Sequence, residues 1–205
     1  KFLYLLSTQH ILDKGLSALY RVIHGNNTNE VAYWSDFSRI WTPMQVKRKT
    51  LLTRMGDTEK HLYFVVEGVY RSYYISPRGA DATLVFFYPP SFAGVADSFL
   101  LQQPSKYFVE SLTTGSLLRT NFNQVQQLML QHRALEQFVL SAVTRTLSGV
   151  LERQIELQCF NAEEKFRALL QRSPHVLQLI PHKYLASYLG IDATTFSKLL
   201  GSIKL

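Results

Sequence analysis

Apolar positions in the first stretch of the chain recur at helical spacing: Leu5, Ile11, Leu12, Leu16, Leu19, Tyr20 and Ile23. The spacing predicts a helix from Phe2 to about Ile23, stopped by His24-Gly25-Asn26-Asn27, where a Gly suits the position just past a helix end. A shorter helix is expected from about Asn29 to Ile40, with Val31, Trp34, Phe37 and Ile40 three apart and Thr42-Pro43 closing it. The period then changes. From Met44 to about Asn121 come β-rich runs beginning at Thr50, His61, Val69, Ala82, Tyr107 and Ser116, which is the mark of an all-β unit. Turn chemistry separates them at Gly56-Asp57, Glu67-Gly68, Ser76-Pro77-Arg78-Gly79, Tyr88-Pro89-Pro90 and Thr114-Gly115. The Lys47-Arg48-Lys49 run reads as a solvated strand edge.

One segment breaks the strand rhythm. Ser91 to Lys106 contains Gly94, then Asp97 and Ser98, then a short apolar turn of helix. Such a turn is either a site for an anionic ligand or a connecting helix that plugs one end of a β-roll. After about Asn123 the helical period returns, first over Gln124 to about His132 with Val125, Leu128 and Met129. The stretch from Ala134 to about Phe160 has no Pro, and Gly149 is its single Gly. In it Leu135, Val139, Val143, Leu147, Val150 or Leu151, and Ile155 step by three or four residues along one stripe of a helix about 40 Å long. A stripe of this kind seeks a partner helix, and a homodimer through it is expected; packing flat on the β unit is the alternative.

Asn161-Ala162-Glu163-Glu164 has the capping-box layout that starts a further helix. Beyond it, Leu185, Leu189, Ile191, Phe196 and Leu199 are spaced for two short crossed helices sharing a core. Ala186 is small where the helices would touch, Gly190 stands at the turn, and Asp192 follows as an N-cap. This is a helix-turn-helix pattern, with a reading helix from Asp192 to about Ile203 that would lie in a DNA major groove. An ordinary helical hairpin is the rival.

Composition narrows the class without choosing it. At 205 residues there is room for one large domain or two small ones. The 46% hydrophobic and 18% charged fractions are ordinary for a globular chain. No apolar run reaches the length of a membrane span, and no basic-then-apolar leader opens the sequence, so a cytoplasmic location is expected. The single Cys159 leaves no internal disulfide. The Asn26-Asn27-Thr28 triplet, without a secretory signal, carries no glycosylation expectation. A net charge of +7 agrees with a polyanionic partner. From Arg145 to Leu205, however, eight Lys and Arg stand against five Asp and Glu, so the basic excess is spread thinly. No two of the six histidines lie within a helix turn or alternate on a strand, which argues against a metal-dependent enzyme.

Helices, a Gly-punctuated β unit, a long helix and a C-terminal helix-turn-helix, in that order, resemble the Crp/Fnr family of bacterial regulators. Lys49-Thr50-Leu51-Leu52 with Gly56-Asp57, then Leu62 through Gly68, look like the opening strands of that family's cyclic-nucleotide-binding-type roll. Phe92-Ala93-Gly94 through Ser105 falls where the family keeps its phosphate-binding cassette. The runs from Ala162 and Leu185 are most similar to the Bacteroidetes-type branch. The resemblance implies an α+β fold: N-terminal helices and a double-stranded β-roll sensor (1–132), a long dimerisation helix (133–160) and a (winged) helix-turn-helix domain (161–205). It implies a cytoplasmic, homodimeric regulator that binds double-stranded DNA and is no enzyme. A small-molecule effector would sit among Gly94, Val95, Ala96, Asp97, Ser98, Phe99, Ser105, Lys106, Val150 and Leu151. By the same resemblance Asp192, Ala193, Thr194, Ser197 and Lys198 would face the groove, with Thr195 on the DNA backbone.

Two departures limit these implications. Val95, Ser105 and Lys106 stand where cyclic-AMP-responsive members carry a Glu and an Arg-Ser pair, and Lys106 replaces a bidentate Arg only as a point charge. Val150 and Leu151 are apolar where the purine would be capped, so cyclic AMP is not the expected effector and no cofactor is assigned. The reading helix lacks an Arg for guanine, having Ala193 and Thr194 near its start. The alternative function is therefore a ligand-binding or signalling scaffold whose degenerate helix-turn-helix no longer binds DNA.

Overall fold

The computed structural model describes residues 2–25 and 32–202, with side chains from residue 8 onward. Asn29 and Val31 of the second expected helix, the Asn26-Asn27-Thr28 triplet, Ile203 and the place of a β-wing lie outside the described residues. The chain divides into two compact units: Lys1–Ser72 with Phe86–Val143, and Tyr73–Val85 with Thr144–Leu205.

The first unit opens with helices α1 (Phe2–His24) and α2 (Trp34–Arg39). Eight strands follow: β1 (Thr42–Val46), β2 (Leu51–Thr53), β3 (His61–Glu67), β4 (Tyr70–Ile75), β5 (Asp81–Phe87), β6 (Ser91–Ala93), β7 (Phe108–Ser111) and β8 (Gly115–Asn121). They form two four-stranded sheets, ordered β1-β8-β3-β6 and β2-β7-β4-β5. Helix α3 (Ala96–Leu101) lies between β6 and β7, and α4 (Phe122–Gln131) follows β8.

β3 explains the layering. Its sequence is nearly all apolar because both of its faces are buried. Tyr63 and Val65 point to the inside of the roll, in a core with Val46, Tyr70, Ala93 and Leu117. Phe64 and Val66 point the other way, into a second core with Leu19, Ile23, Phe37, Trp41, Leu118, Leu128 and Leu135. The first sheet is therefore packed on both sides, inward by the roll and outward by helices.

The expected strands appear within two to three residues of their predicted starts or ends, and β1 and β6 are added to them. Lys47-Arg48-Lys49 is not a strand edge: it forms the turn after β1, with the Thr50 hydroxyl donating to Lys47 O at 2.7 Å and Lys49 at φ +66°. The long helix α5 (Arg133–Cys159) has the predicted extent. It is divided between the units at Val143 and Thr144, which differs from the expected 1–132, 133–160 and 161–205. The cause is that its first turns are core: Leu135 is fully buried and Phe138 and Val139 pack beside it. The other addition to the second unit is Tyr73–Val85, the distal part of the β4–β5 hairpin.

The second unit continues with α6 (Ala162–Arg172), α7 (Val176–Leu179), α8 (His182–Leu189) and α9 (Ala193–Ser202). Both capping boxes close, Asn121 with Gln124 on α4 and Asn161 with Glu164 on α6. Among the described residues no helix is long and apolar enough to cross a membrane.

The tightest backbone approach in the first unit is at Gly115, where β8 begins. A Cβ there would lie 2.2 Å from Glu67 O and 2.9 Å from Gly68 Cα. The backbone of the turn between β3 and β4 leaves it no room. Gly115→Ala is expected to destabilise the first unit by about 1–3 kcal/mol or more. Urea unfolding followed by the fluorescence of Trp34 and Trp41, both in this unit, checks it. A wild-type midpoint would contradict the packing.

Candidate nucleic-acid interface and effector cassette

The helix-turn-helix is built around one aromatic. Phe196, on the inner face of α9, is 1% exposed and meets Phe166 of α6 edge-on at 5.3 Å. Leu185, Ala186 and Leu189 of α8 complete the core with Leu169, Leu170, Val176 and Ile180. The turn needs its glycine: Gly190 takes φ +65°, its N–H bonding to Ser187 O and that of Ile191 to Ala186 O, the paired bonds of a Schellman end. A Cβ on Gly190 would also come within 3.4 Å of Leu157 on α5.

Asp192 then starts α9. Its Oδ1 accepts from Thr195 N at 2.8 Å and its Oδ2 from the Thr195 hydroxyl at 2.6 Å. Those bonds hold its carboxyl below the usual aspartate value. Asp192 and Thr195 are thus spent on each other, and the expected backbone-contacting role of the Thr195 hydroxyl is replaced by this cap. The Ser197 hydroxyl donates to Ala193 O at 2.9 Å within the helix. Ala193, Thr194, Ser197 and Lys198 remain exposed on one face, opposite Phe196. Among the described residues Lys198 is the one cation on that face.

The long helix and the helix-turn-helix are tied by a carboxylate with no local sequence signature beyond an i,i+3 pair. Glu156, 6% exposed, accepts from Arg153 Nη1 at 2.7 Å and from both terminal nitrogens of Arg172 on α6. Arg153 also donates to Tyr188 O, and its guanidinium lies 4.2 Å from the centre of the Tyr188 ring on α8. A second tie joins α8 to the hairpin: the Ser187 hydroxyl accepts from Thr83 N at 2.9 Å and donates to Asp81 O at 3.0 Å. Neither tie was visible to local pattern reading.

The apolar stripe of α5 has two fates. Leu135 faces the core of the first unit and leaves the set available to a partner, because its own chain already covers it, and Val139 packs partly buried beside it. Beyond them Leu140, Val143, Leu147, Val150, Leu151 and Ile155 are 40–66% exposed.

Gly94 to Phe99 form the β6–α3 turn and the start of α3, whereas Ser105 and Lys106 follow α3, with the Ser105 backbone bonded to the Gly56-Asp57 turn. Val95 starts α3 without a side-chain cap, and Ser98 and Phe99 are buried. Ala96, Asp97 and Lys106 are exposed. The hydroxyls that a ligand would use are already engaged: Ser98 accepts from Glu59 N and donates to Gln103 O, while Ser105 bonds with both N and O of Tyr107. Beneath Gly94 sits Glu59, 3% exposed, which sequence reading missed. Its carboxylate accepts from the Thr53 hydroxyl and His61 N, with support from the N–H groups of Lys60 and Val95. Burial nevertheless pushes its pKa up. Val150 and Leu151, predicted to complete the pocket, belong to the second unit.

The sequence signature of the cyclic nucleotide-binding domain matches residues 43–132. The chain is 25% identical over 167 residues to the anaerobic regulatory protein of Haemophilus influenzae, an alignment covering 76% of this chain and 64% of that protein. The chain thus spans less than two thirds of that relative. FixK2 from Bradyrhizobium japonicum has a similar structure, with a TM-score of 0.73 and 15% identity over 79% of this chain and 83% of that one. A transcriptional regulator of the Crp/Fnr family from Eubacterium rectale gives a TM-score of 0.65 and 16% identity over 85% and 83%.

The Glu156 tie has a sign that can be tested. Burial alone raises that carboxyl, but hydrogen bonds and charge from Arg172 and Arg153 outweigh it, and its pKa falls below the ordinary glutamate value. Stability from a depressed carboxyl is present above the unfolded value, about 4.3, and is lost as pH falls through the folded one. Glu156→Gln is expected to destabilise the second unit by roughly 1.5–3 kcal/mol near pH 7 and to flatten its acid response. The range excludes the larger cost of a fully buried pair because the Arg172 side chain is 41% exposed. Thermal unfolding followed by circular dichroism between about pH 7 and pH 3 measures both. An unchanged acid limb in the variant would contradict the assignment.

Proposed function

We propose that this chain, which belongs to the Crp/Fnr family, is a homodimeric DNA-binding regulator of transcription that works in the cytoplasm and performs no catalysis. The observation that carries the reading is the division of α9. Phe196 commits one face to the core, while Ala193, Thr194, Ser197 and Lys198 stand exposed on the other. Thr194 and Ala193 offer methyls that suit thymine, and Lys198 offers a phosphate or base contact. The exposed stripe from Leu140 to Ile155 supports pairing of two copies, with two reading helices set about 34 Å apart on one face of a palindromic site.

The sensor side of the reading is narrower. A cyclic nucleotide would bring its phosphate to a cassette whose Ser98 and Ser105 hydroxyls are engaged and whose floor holds the Glu59 carboxylate. Lys106 would be its one cation there, exposed and without the fork of an Arg. An effector other than cyclic AMP, acting by favouring one placement of the paired reading helices, fits this chemistry better. The scaffold alternative draws on the single charge of the α9 face, and DNA binding decides between them.

Two measurements test the proposal. Sedimentation equilibrium is expected to give a dimer at micromolar concentration, and Leu147→Glu, which puts a charge in the middle of the stripe, a monomer of unchanged fold. A monomeric wild type would contradict the pairing. Lys198→Ala is expected to weaken DNA binding and to lower the slope of log affinity against log salt by about 1. Unaltered affinity and slope would remove Lys198 from the interface.

A further inference from the structure

A second polar hollow lies at the end of the first sheet where β3 begins and β8 ends, beside the strand edge that leads to the cassette turn. It measures about 260 Å³ and is lined by Thr42, His61, Arg119, Thr120, Asn121 and Gln124, with Ile40 as its apolar wall. Strand register explains the grouping. Thr42 on β1, Arg119 on β8 and Tyr63 on β3 lie side by side in one row, and His61 and Asn121 form the next. Side chains two apart on a strand share a face, so Arg119 and His61 project together where the apolar filling of Tyr63, Val65 and Leu117 ends.

The lining has donors in excess. Gln124 Oε1 accepts from Asn121 N, Asn121 Nδ2 and the Thr120 hydroxyl, which leaves the Gln124 amide nitrogen with its hydrogens unassigned. The Arg119 guanidinium pairs with no carboxylate among the described residues, although its own carbonyl accepts from Thr42. The His61 ring touches Tyr63 at 6.0 Å between centroids and forms no hydrogen bond among the described residues. Lys60 adds a second cation beside it, and no lining residue is acidic. A half-buried guanidinium, an imidazole and an amide nitrogen thus line one small space that has no carboxylate among its lining residues.

We propose that this hollow binds a small oxyanion, a molecule carrying a phosphate or carboxylate group, with Arg119 as the charged anchor and His61 and Gln124 as flanking donors. Arg offers a planar fork that suits either group. The volume suits a small metabolite rather than a nucleotide with its base. Its lining shares no residue with the cassette, and its failure would leave the DNA-binding reading untouched.

Binding is linked to protons. Burial lowers the His61 pKa first, and the charges of Arg119 and Lys60 lower it further. The other titratable groups near it are Tyr63, against its ring, and Glu59, whose carboxylate accepts its backbone N–H. An anion between His61 and Arg119 offsets the repulsion, raises the imidazole pKa and takes up a proton. Affinity therefore strengthens as pH falls through the His61 range.

The test is an NMR titration of the histidine ring signals of the full chain with inorganic phosphate, with acetate as a second arm and chloride at matched ionic strength as the reference. Saturable movement centred on His61, with its pKa raised at saturation, is expected; the tighter of the two anions identifies the chemical group. Arg119→Gln is expected to weaken binding by at least about tenfold, and Arg119→Lys, which keeps the charge without the fork, by less. The lysine variant carries the comparison if the glutamine variant does not fold. Movement reproduced by chloride, equal movement at all histidines, no saturation with either anion, or binding unchanged in both Arg119 variants would overturn the proposal.

Discussion

The account depends on one amphipathic helix whose apolar stripe is longer than its own chain covers. The early turns of α5 are core, with Leu135 fully buried and Val139 packed beside it. From Leu140 to Ile155 the same stripe lies exposed, with Leu147 at 56% and Ile155 at 56%. Burying apolar surface contributes about 25 cal/mol per Å², so a continuous row of this kind supports the proposed pairing of two copies. The helix contributes to both units, as core in one and as the element joined to the helix-turn-helix in the other.

What makes the rod useful is rigidity at its far end. Glu156 joins α5 to α6 through Arg172, and Arg153 joins it to α8 through Tyr188 O and the Tyr188 ring. α9 is then fixed to α6 and α8 by the edge-on contact of Phe166 and Phe196 and by the Gly190 turn. A regulator needs this stiffness, because two reading helices match a half-site spacing only if each is held firmly to the element that pairs them. The tie of Ser187 to Asp81 and Thr83 adds the tip of the β4–β5 hairpin to that rigid set.

The features legible in the sequence were those with a local physical signature. The Asn161–Glu164 capping box, the Gly190 turn and the Asp192 cap each depend on residues within a few positions, and each forms. β3 announced itself through an apolar run, since a strand buried on both faces has no alternation to hide. β1 and β6 were less visible, because Thr42–Val46 carries a Pro and Ser91–Ala93 is only three residues long. Periodicity shows the stripe of α5 but cannot say which surface covers which turn, so it does not reveal that Leu135 is covered by its own chain. Glu59, Arg172 and Arg119 were missed for a related reason. Their roles come from strand register and tertiary contact over distances that no local window spans.

The most direct test of paired reading helices is a hydroxyl-radical footprint of the full chain on DNA selected from a random pool for tight binding. The account predicts two protected patches on one face of the duplex, centred about one helical turn apart and related by the two-fold symmetry of the selected sequence. A single patch, an asymmetric selected site, or failure of any DNA to be enriched would contradict it.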